Sequence, residues 1–137
     1  MKALQGVLVA AMVFGLGCMT PSTNTRPLES SKSMPASEGT AMAAGGPNGN
    51  TALRVKVKHL APAAKIVDGA EVYVVWVQPE NGQPQNVGIL TVNKNLEGSL
   101  STITPHKRFR VLVTPESNGQ VQQPNNDEVF TSDVSTQ

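Results

Sequence analysis

The sequence predicts an all-β protein, a small antiparallel Ig-like β-sandwich of about six strands that follows a signal peptide and a disordered linker. From residue 51 onward, short segments rich in valine and aromatic residues alternate with turn-forming residues. Apolar and charged residues alternate within the first of these segments, which is typical of a half-buried strand. No part of this region has the period of an amphipathic helix.

The first three strands are predicted from local pattern and turn chemistry. Leucine and valine alternate with arginine and lysine over residues 53–58. Residues 71–77, EVYVVWV, predict the strongest strand, because β-branched and aromatic side chains favour a pleated backbone. Asn81 and Gly82 then supply turn residues. Residues 87–92 predict the third strand.

Three further strands complete the predicted sandwich, at residues 96–103, 109–114 and 128–134. The polar residues 93–95 suit a hairpin. We expect the core to lie between the two layers and to be built mainly from Leu53, Val55, Val57, Val74, Trp76, Ile89, Leu100, Phe109, Val111 and Val113.

The second strand is apolar on both faces. One face carries Val72, Val74 and Trp76, and the other carries Tyr73, Val75 and Val77. We assign the Trp76 face to the core. The other face is then covered either by a loop, which we favour, or by a binding partner. Tyr73, Val75 and Val77 are therefore the candidate partner-binding residues.

The first seventeen residues predict an export signal. Lys2 gives a positive start, residues 7–16 are almost entirely apolar, and Gly17 precedes the single cysteine, Cys18. The apolar run is shorter than the roughly 20 residues of a membrane-spanning helix. Cleavage after residue 17 removes Lys2 from the 11 basic residues and leaves 10 against 10 acidic residues. This zero net charge argues against a nucleic-acid partner.

Residues 14–18, FGLGC, resemble the lipobox of bacterial lipoproteins. The resemblance implies that Cys18 receives a diacylglyceryl group and that palmitate-type chains anchor the protein in a bilayer. Met19, in place of aspartate, implies the outer membrane of a Gram-negative bacterium, on its periplasmic or surface face. Gly15 departs from the family, which usually has an aliphatic residue there. Gly15 and Gly17 also fit an ordinary signal peptide, so a secreted, non-lipidated protein is the alternative.

Residues 18–50 are predicted to be a lipidated, disordered tether, because Ser, Pro, Gly and Ala dominate and no periodicity is sustained. A random coil of this length separates its ends by roughly 30 Å. The chain is thus divided into a signal peptide at 1–17, the tether at 18–50 and a β-sandwich domain at 51–137.

The strings VYVVWVQPENGQPQNVG and FRVLVTPE resemble the extracytoplasmic C-terminal domain of the anti-sigma-K type regulators. The resemblance covers roughly residues 70–116. Its matching positions are Tyr73, Trp76, Gly82, Gly88, Phe109, Val111, Thr114, Pro115 and Glu116. The family carries a sigma-binding domain and a transmembrane helix before this module, and we recognise neither in this sequence. The resemblance therefore implies an interaction or sensory β-domain and not anti-sigma activity.

Catalytic and metal-binding patterns are weak. His59 and His106 lack the clustered spacing with cysteine or carboxylates that metal ligation requires. Glu116, Asp127 and Glu128 flank a long loop and could meet, but nothing in the sequence predicts that one of them is buried. We expect no enzyme activity, no metal and no cofactor.

Two groups of basic residues remain: Arg54, Lys56 and Lys58 on the first predicted strand, and Lys107, Arg108 and Arg110 near the fifth. Charged side chains on an edge strand discourage aggregation. The second group could touch anionic headgroups, but the zero net charge favours an ordinary solvated face.

The sequence thus predicts a non-catalytic, lipid-anchored interaction module with an unknown envelope protein as its partner. A sensor that binds a small extracytoplasmic ligand is the alternative. An enzyme that uses the loop at residues 115–128 is a further rival.

Overall fold

A computed structural model describes residues 23–136 and confirms an all-β, antiparallel fold. It contains nine strands rather than about six. They are β1 (Asn24–Ser30), β2 (Glu38–Gly45), β3 (Thr51–Lys58), β4 (Val72–Pro79), β5 (Gln85–Ile89), β6 (Thr91–Val92), β7 (Gly98–Thr104), β8 (Arg108–Glu116) and β9 (Phe130–Ser135). The helical elements of the described region are a 3₁₀ turn at Pro47–Gly49 and a single-turn α1 at Ala63–Ile66.

The nine strands form one continuous sheet in the order β5-β4-β8-β9-β1-β2-β3-β7-β6. Strand β1 joins its two halves. Residues 24–28 of β1 pair with β2, and Glu29 and Ser30 pair with β9. The sheet therefore folds over at β1 into two layers, with β5, β4, β8 and β9 in one and β2, β3, β7 and β6 in the other.

The main core lies between the layers. Strand β3 turns Leu53, Val55 and Val57 inward and its basic residues outward, as its alternation predicts. The opposite layer contributes Val111 and Val113 from β8, with side chains of β4 and β9. Burying each side chain of this size stabilises the fold by about 1.5–3 kcal/mol.

Two ends of the molecule are used below. The N-terminal pole is the end at which β1 begins, where the Asn24 side chain donates to the carbonyl of Ser135 (2.8 Å) and the Thr51 hydroxyl donates to the carbonyl of His106 (2.8 Å). The distal pole is the opposite end, where the Leu60 amide donates to the carbonyl of Leu96 (2.9 Å).

The predicted tether is wrong for residues 24–50, because this stretch forms β1, β2 and the 3₁₀ turn. Ala41 and Ala43 are fully buried between β1 and β3. A Cβ on Gly39 would lie 2.7 Å from Leu28 Cδ1, so a glycine is required for this close approach. Small residues bury little area each, and their partners lie far away in sequence. Local composition therefore resembles that of a linker.

The third predicted strand is divided into β5 and β6 by Leu90, whose amide donates to the carbonyl of Tyr73 (2.9 Å). Eight of the ten predicted core residues are buried, but Leu100 is only partly buried and Ile89 is exposed. Leu90 enters the core and Ile89 does not, beside a β-bulge in the pairing of β4 with β5.

The predicted orientation of β4 is also wrong. Tyr73, Val75 and Val77 point into the main core, with exposed fractions of 2%, 0% and 0%. They therefore do not form a surface on which a partner could bind. Trp76 and its neighbours on the same face point outward and are covered by the loop at residues 117–129. Alternation cannot orient a strand whose two faces are both apolar.

Candidate functional site

An apolar groove of about 550 Å³ opens at the distal pole. Its rim carries Ile89, Val92 and Leu96, which are 41%, 41% and 45% exposed. They are three of the four large apolar residues that are exposed within residues 23–136, and the fourth is Ile103 on β7. The strongest concentration of exposed apolar surface in the described chain is therefore this distal groove.

The groove forms where the two ends of the sheet meet. Strands β5 and β6 are its terminal strands, and the chain passes from one to the other at Leu90. A Cβ on Gly98 would lie 2.8 Å from Leu90 Cγ, so the absence of a side chain there lets β7 approach the buried leucine. This packing fixes the corner and leaves the side chains on either side of Leu90 facing solvent.

Leu96 has a left-handed backbone conformation, with φ of +60°. Such a conformation is costly for a residue with a Cβ and occurs more often with glycine or asparagine. The turn is held by Asn93 Oδ1, which accepts hydrogen bonds from the amides of Asn95 (2.9 Å) and Glu97 (3.0 Å). The turn thus places an exposed leucine, in a costly backbone conformation, at the rim of the groove.

The floor of the groove is the distal end of the main core. Leu60 is fully buried there, and the Tyr73 hydroxyl donates to the carbonyl of Ala61 (2.5 Å). Burial raises the pKa of Tyr73 to about 12. The floor of the groove is thus uncharged at neutral pH and stays so well above it.

The distal half of the outer face of β4 and β8 is covered by the loop at residues 117–129, which a polar network fixes. Trp76 Nε1 donates to Thr114 Oγ1 (2.8 Å), and that hydroxyl donates to Glu116 Oε1 (2.9 Å). The Asn125 amide also donates to Glu116 Oε1 (2.9 Å), and Asn126 Nδ2 donates to the carbonyl of Pro115 (2.7 Å). Glu116 is only 1% exposed.

The three carboxylates that could meet beside this loop do not form an acid–base site. Glu116 is buried beneath the loop, whereas Asp127 and Glu128 are exposed. No other carboxylate lies among the hydrogen-bond partners of Glu116 within residues 23–136. Its contacts connect the loop to the sheet, so its evident role is structural.

The histidines are not brought together. His59 is exposed, and half-buried His106 lies 3.1 Å from Gln85 Oε1 through its Nε2 atom. Within the described range 23–136, no three His, Cys, Asp or Glu side chains are arranged to hold a metal ion.

The N-terminal half of the same outer face remains open. A groove of about 670 Å³ there is lined by Arg26, Arg108, Arg110 and Asp133 among others. Arg110 Nε donates to Asp133 Oδ1 at 3.0 Å. This hydrogen bond and the carboxylate charge raise the pKa of Arg110 above its ordinary value. The rim is therefore cationic and partly neutralised.

Sequence reasoning missed the exposure of Leu96 at the groove and the burial of Glu116. Leu96 directly follows the polar turn residues Asn93–Asn95. An apolar residue at a position where turns favour polar ones is a signal of unusual exposure. Glu116 ends a strand that is apolar on both faces, which was a signal that it shares the strand's burial.

Cys18 and the predicted signal peptide lie outside the described residues. Between residues 23 and 136 there is no helix with the length and apolar character needed to cross a membrane. No protein-family model, no curated protein and no solved structure matches the chain.

Proposed function

We propose that this chain is a lipid-anchored protein of a bacterial envelope and that its β-domain is a non-catalytic interaction module. The distal groove is its binding surface. The observation that carries this proposal is the clustering of Ile89, Val92 and Leu96 around one apolar groove. This groove lies at the distal pole, opposite the end at which β1 begins. The anchor itself is supported by the signal-like residues 1–17 and the lipobox-like motif before Cys18.

The chemistry of the groove specifies the kind of partner. Its walls are mainly aliphatic, and Glu71 is the one charged residue that lines it within the described chain. A groove of this kind binds an apolar side chain of a protein partner, since burial of apolar surface drives association. Leu96 is held in place before binding, so little conformational entropy is lost there when a partner binds.

A matched pair of variants tests the groove. Leu96→Asp places one negative charge on the rim, whereas Ile103→Asp places the same charge on an exposed apolar residue of β7, 53% exposed. Partners are cross-linked in intact cells, and captured proteins are quantified from solubilised membranes. We expect the groove variant to lose proteins that the Ile103 variant retains. Equal capture by the two folded variants would rule out the groove as the binding surface.

Intact mass spectrometry of the membrane-fraction protein tests the anchor. We expect a chain that begins at Cys18 and carries the added mass of its acyl groups, and we expect this mass to be lost in Cys18→Ser. An unmodified chain in the soluble fraction would instead identify the secreted, non-lipidated alternative.

A ligand-binding sensor is the second candidate, and the size of the distal groove favours it. Its volume of about 550 Å³ falls within the roughly 300–1,000 Å³ of small-ligand pockets. A ligand that binds only the folded state raises the melting temperature. An apolar ligand that raises the melting temperature of the native chain, but not of the Leu96→Asp variant, would favour the sensor over the interaction module.

A further inference from the structure

The correction of the predicted tether changes where the domain sits relative to its anchor. Strand β1 begins at Asn24, only six residues after Cys18. Six residues span at most roughly 20 Å when fully extended. A lipid on Cys18 therefore holds the N-terminal pole close to the headgroups, whereas a tether up to residue 50 would have left the domain free to orient.

The N-terminal pole carries the positive end of a polarised domain. The charged side chains at this pole are the cations Arg26, Arg54, Lys107, Arg108 and Arg110 and the anions Glu80 and Asp133. Arg110 is paired with Asp133. Within residues 23–136, Arg26, Lys107 and Arg108 make no ion pair.

The distal half of the domain has the opposite balance. Six of the ten acidic residues lie there: Glu38, Asp68, Glu71, Glu97, Glu116 and Asp127. Glu29 and Glu128 lie between the two ends, where they line a groove together with Arg26 and Arg110. The basic residues of that half, apart from Lys56 in the middle of β3, are Lys32, Lys58, Lys65 and Lys94. The zero net charge of the predicted mature chain therefore conceals a charge asymmetry, with the positive end at the pole where β1 begins.

We propose that the N-terminal pole docks on the anionic headgroup phosphates of the bilayer that anchors Cys18, and that this contact orients the distal groove away from the membrane. The docking rests on the proposed lipid anchor. Screening confines the attraction of an exposed cation to about 10 Å, so a short tether is what makes these cations effective. Each Lys or Arg close to an anionic surface strengthens binding by about fivefold, and the anchor makes the contact intramolecular.

The single cysteine allows this docking to be tested with a chemical anchor. Every described strand lies within residues 24–135, so a chain that begins at Cys18 retains them all. Its thiol is coupled to a maleimide lipid in vesicles of phosphatidylcholine alone or with about a third phosphatidylglycerol. Lysine acetylation by a soluble amine-reactive ester is then followed by peptide mass spectrometry. Lys107 reports on the N-terminal pole, and Lys65 and Lys94 report on the distal pole.

We expect phosphatidylglycerol to slow acetylation of Lys107 by roughly fivefold, with no change at the distal lysines, and high salt to abolish the effect. Arg26→Gln with Arg108→Gln should remove this protection. The control, Lys56→Gln with Lys58→Gln, removes equal charge from β3 and should leave the protection unchanged.

The outcomes separate the docking from the anchor. Equal acetylation of Lys107 on both kinds of vesicle would overturn the docking and leave the lipid anchor standing. Loss of protection in the control variant would show that net charge, rather than this pole, is responsible, and would also overturn the docking. An unmodified Cys18 in cells would overturn the anchor and, with it, the docking that depends on it.

Discussion

The two faces of β4 are both buried, but by different means. The inner face, with Tyr73 and Val75, is covered by a second layer of sheet, and no single residue determines its burial. The outer face, with Trp76, is covered by one loop, which is held by hydrogen bonds to Glu116 and to Asn86. Burial by a sheet is distributed over many contacts, whereas burial by a loop depends on a few hydrogen bonds. The outer face should therefore be much easier to expose.

The largest loss of stability is expected for a variant that exposes only the outer face of β4. Glu116→Ala leaves the Thr114 hydroxyl and the Asn125 amide without their acceptor, which we expect to lower the free energy of unfolding by about 3 kcal/mol. Trp76 is the only tryptophan, so its fluorescence reports directly on this face. We expect its emission to shift to longer wavelength in urea before the main unfolding transition.

Two further variants control for this result. Glu116→Gln keeps one acceptor oxygen and should lose only about 1 kcal/mol. Glu128→Ala, on the exposed part of the same loop, should stay within about 0.5 kcal/mol of the native chain. If Glu116→Ala were as stable as Glu128→Ala, the loop would be held by something other than the carboxylate network.

The sequence predicts a strand with alternating apolar and charged side chains better than a strand without that alternation. Strand β3 was predicted with its correct orientation because its alternating side chains meet a core on one side and water on the other. Strand β2 was missed because Ala41 and Ala43 are buried by strands that are distant in sequence. The orientation of β4 was missed because the loop that covers Trp76 is specified by hydrogen bonds, which have no hydrophobic period.

The candidate groove was not predicted either, because its rim residues depart from the usual pattern of a strand and a turn. Ile89 was predicted as a core residue, since apolar residues in a strand are usually buried, but Leu90 occupies the core position beside the β-bulge of β4 and β5. The left-handed conformation of Leu96 cannot be inferred from its residue type, because leucine rarely adopts it.

The inner face is tested through Tyr73, which is the only tyrosine. Its pKa is raised from 10.0 to about 12, so its neutral form stabilises the fold fully below pH 10, and this contribution is lost as the pH rises towards 12. We expect ionisation, followed by the absorbance of tyrosinate, to occur near pH 12 in the folded chain.

The Tyr73→Phe variant separates ionisation from packing. It loses the hydrogen bond to the Ala61 carbonyl, at a cost of about 1 kcal/mol at neutral pH. Between pH 9 and pH 11 the native chain should lose about 1 kcal/mol more than the variant does. Equal losses would show that Tyr73 ionises as readily in the folded chain as in the unfolded one.

The inner face reaches solvent at the distal groove. There the backbone conformation of Leu96 lowers stability, whereas its apolar side chain should favour binding of a partner. Leu96→Asn replaces a strained leucine with a residue that tolerates φ of +60°, so we expect a gain in stability of about 0.5 kcal/mol. The same change removes an apolar side chain from the rim and should weaken partner capture. A loss of stability would show that Leu96 contributes packing that outweighs its backbone strain.

The smallest effect is expected where the outer face is open. Asp133→Asn breaks the ion pair with Arg110, but the two side chains are 78% and 55% exposed, so water screens the interaction. We expect a change below about 0.5 kcal/mol in denaturant unfolding. Because the variant also adds one net positive charge at the N-terminal pole, protection of Lys107 on anionic vesicles should increase. Stability and membrane contact would then respond to different residues of one face: the covered half stabilises the fold, and the open half is available for binding.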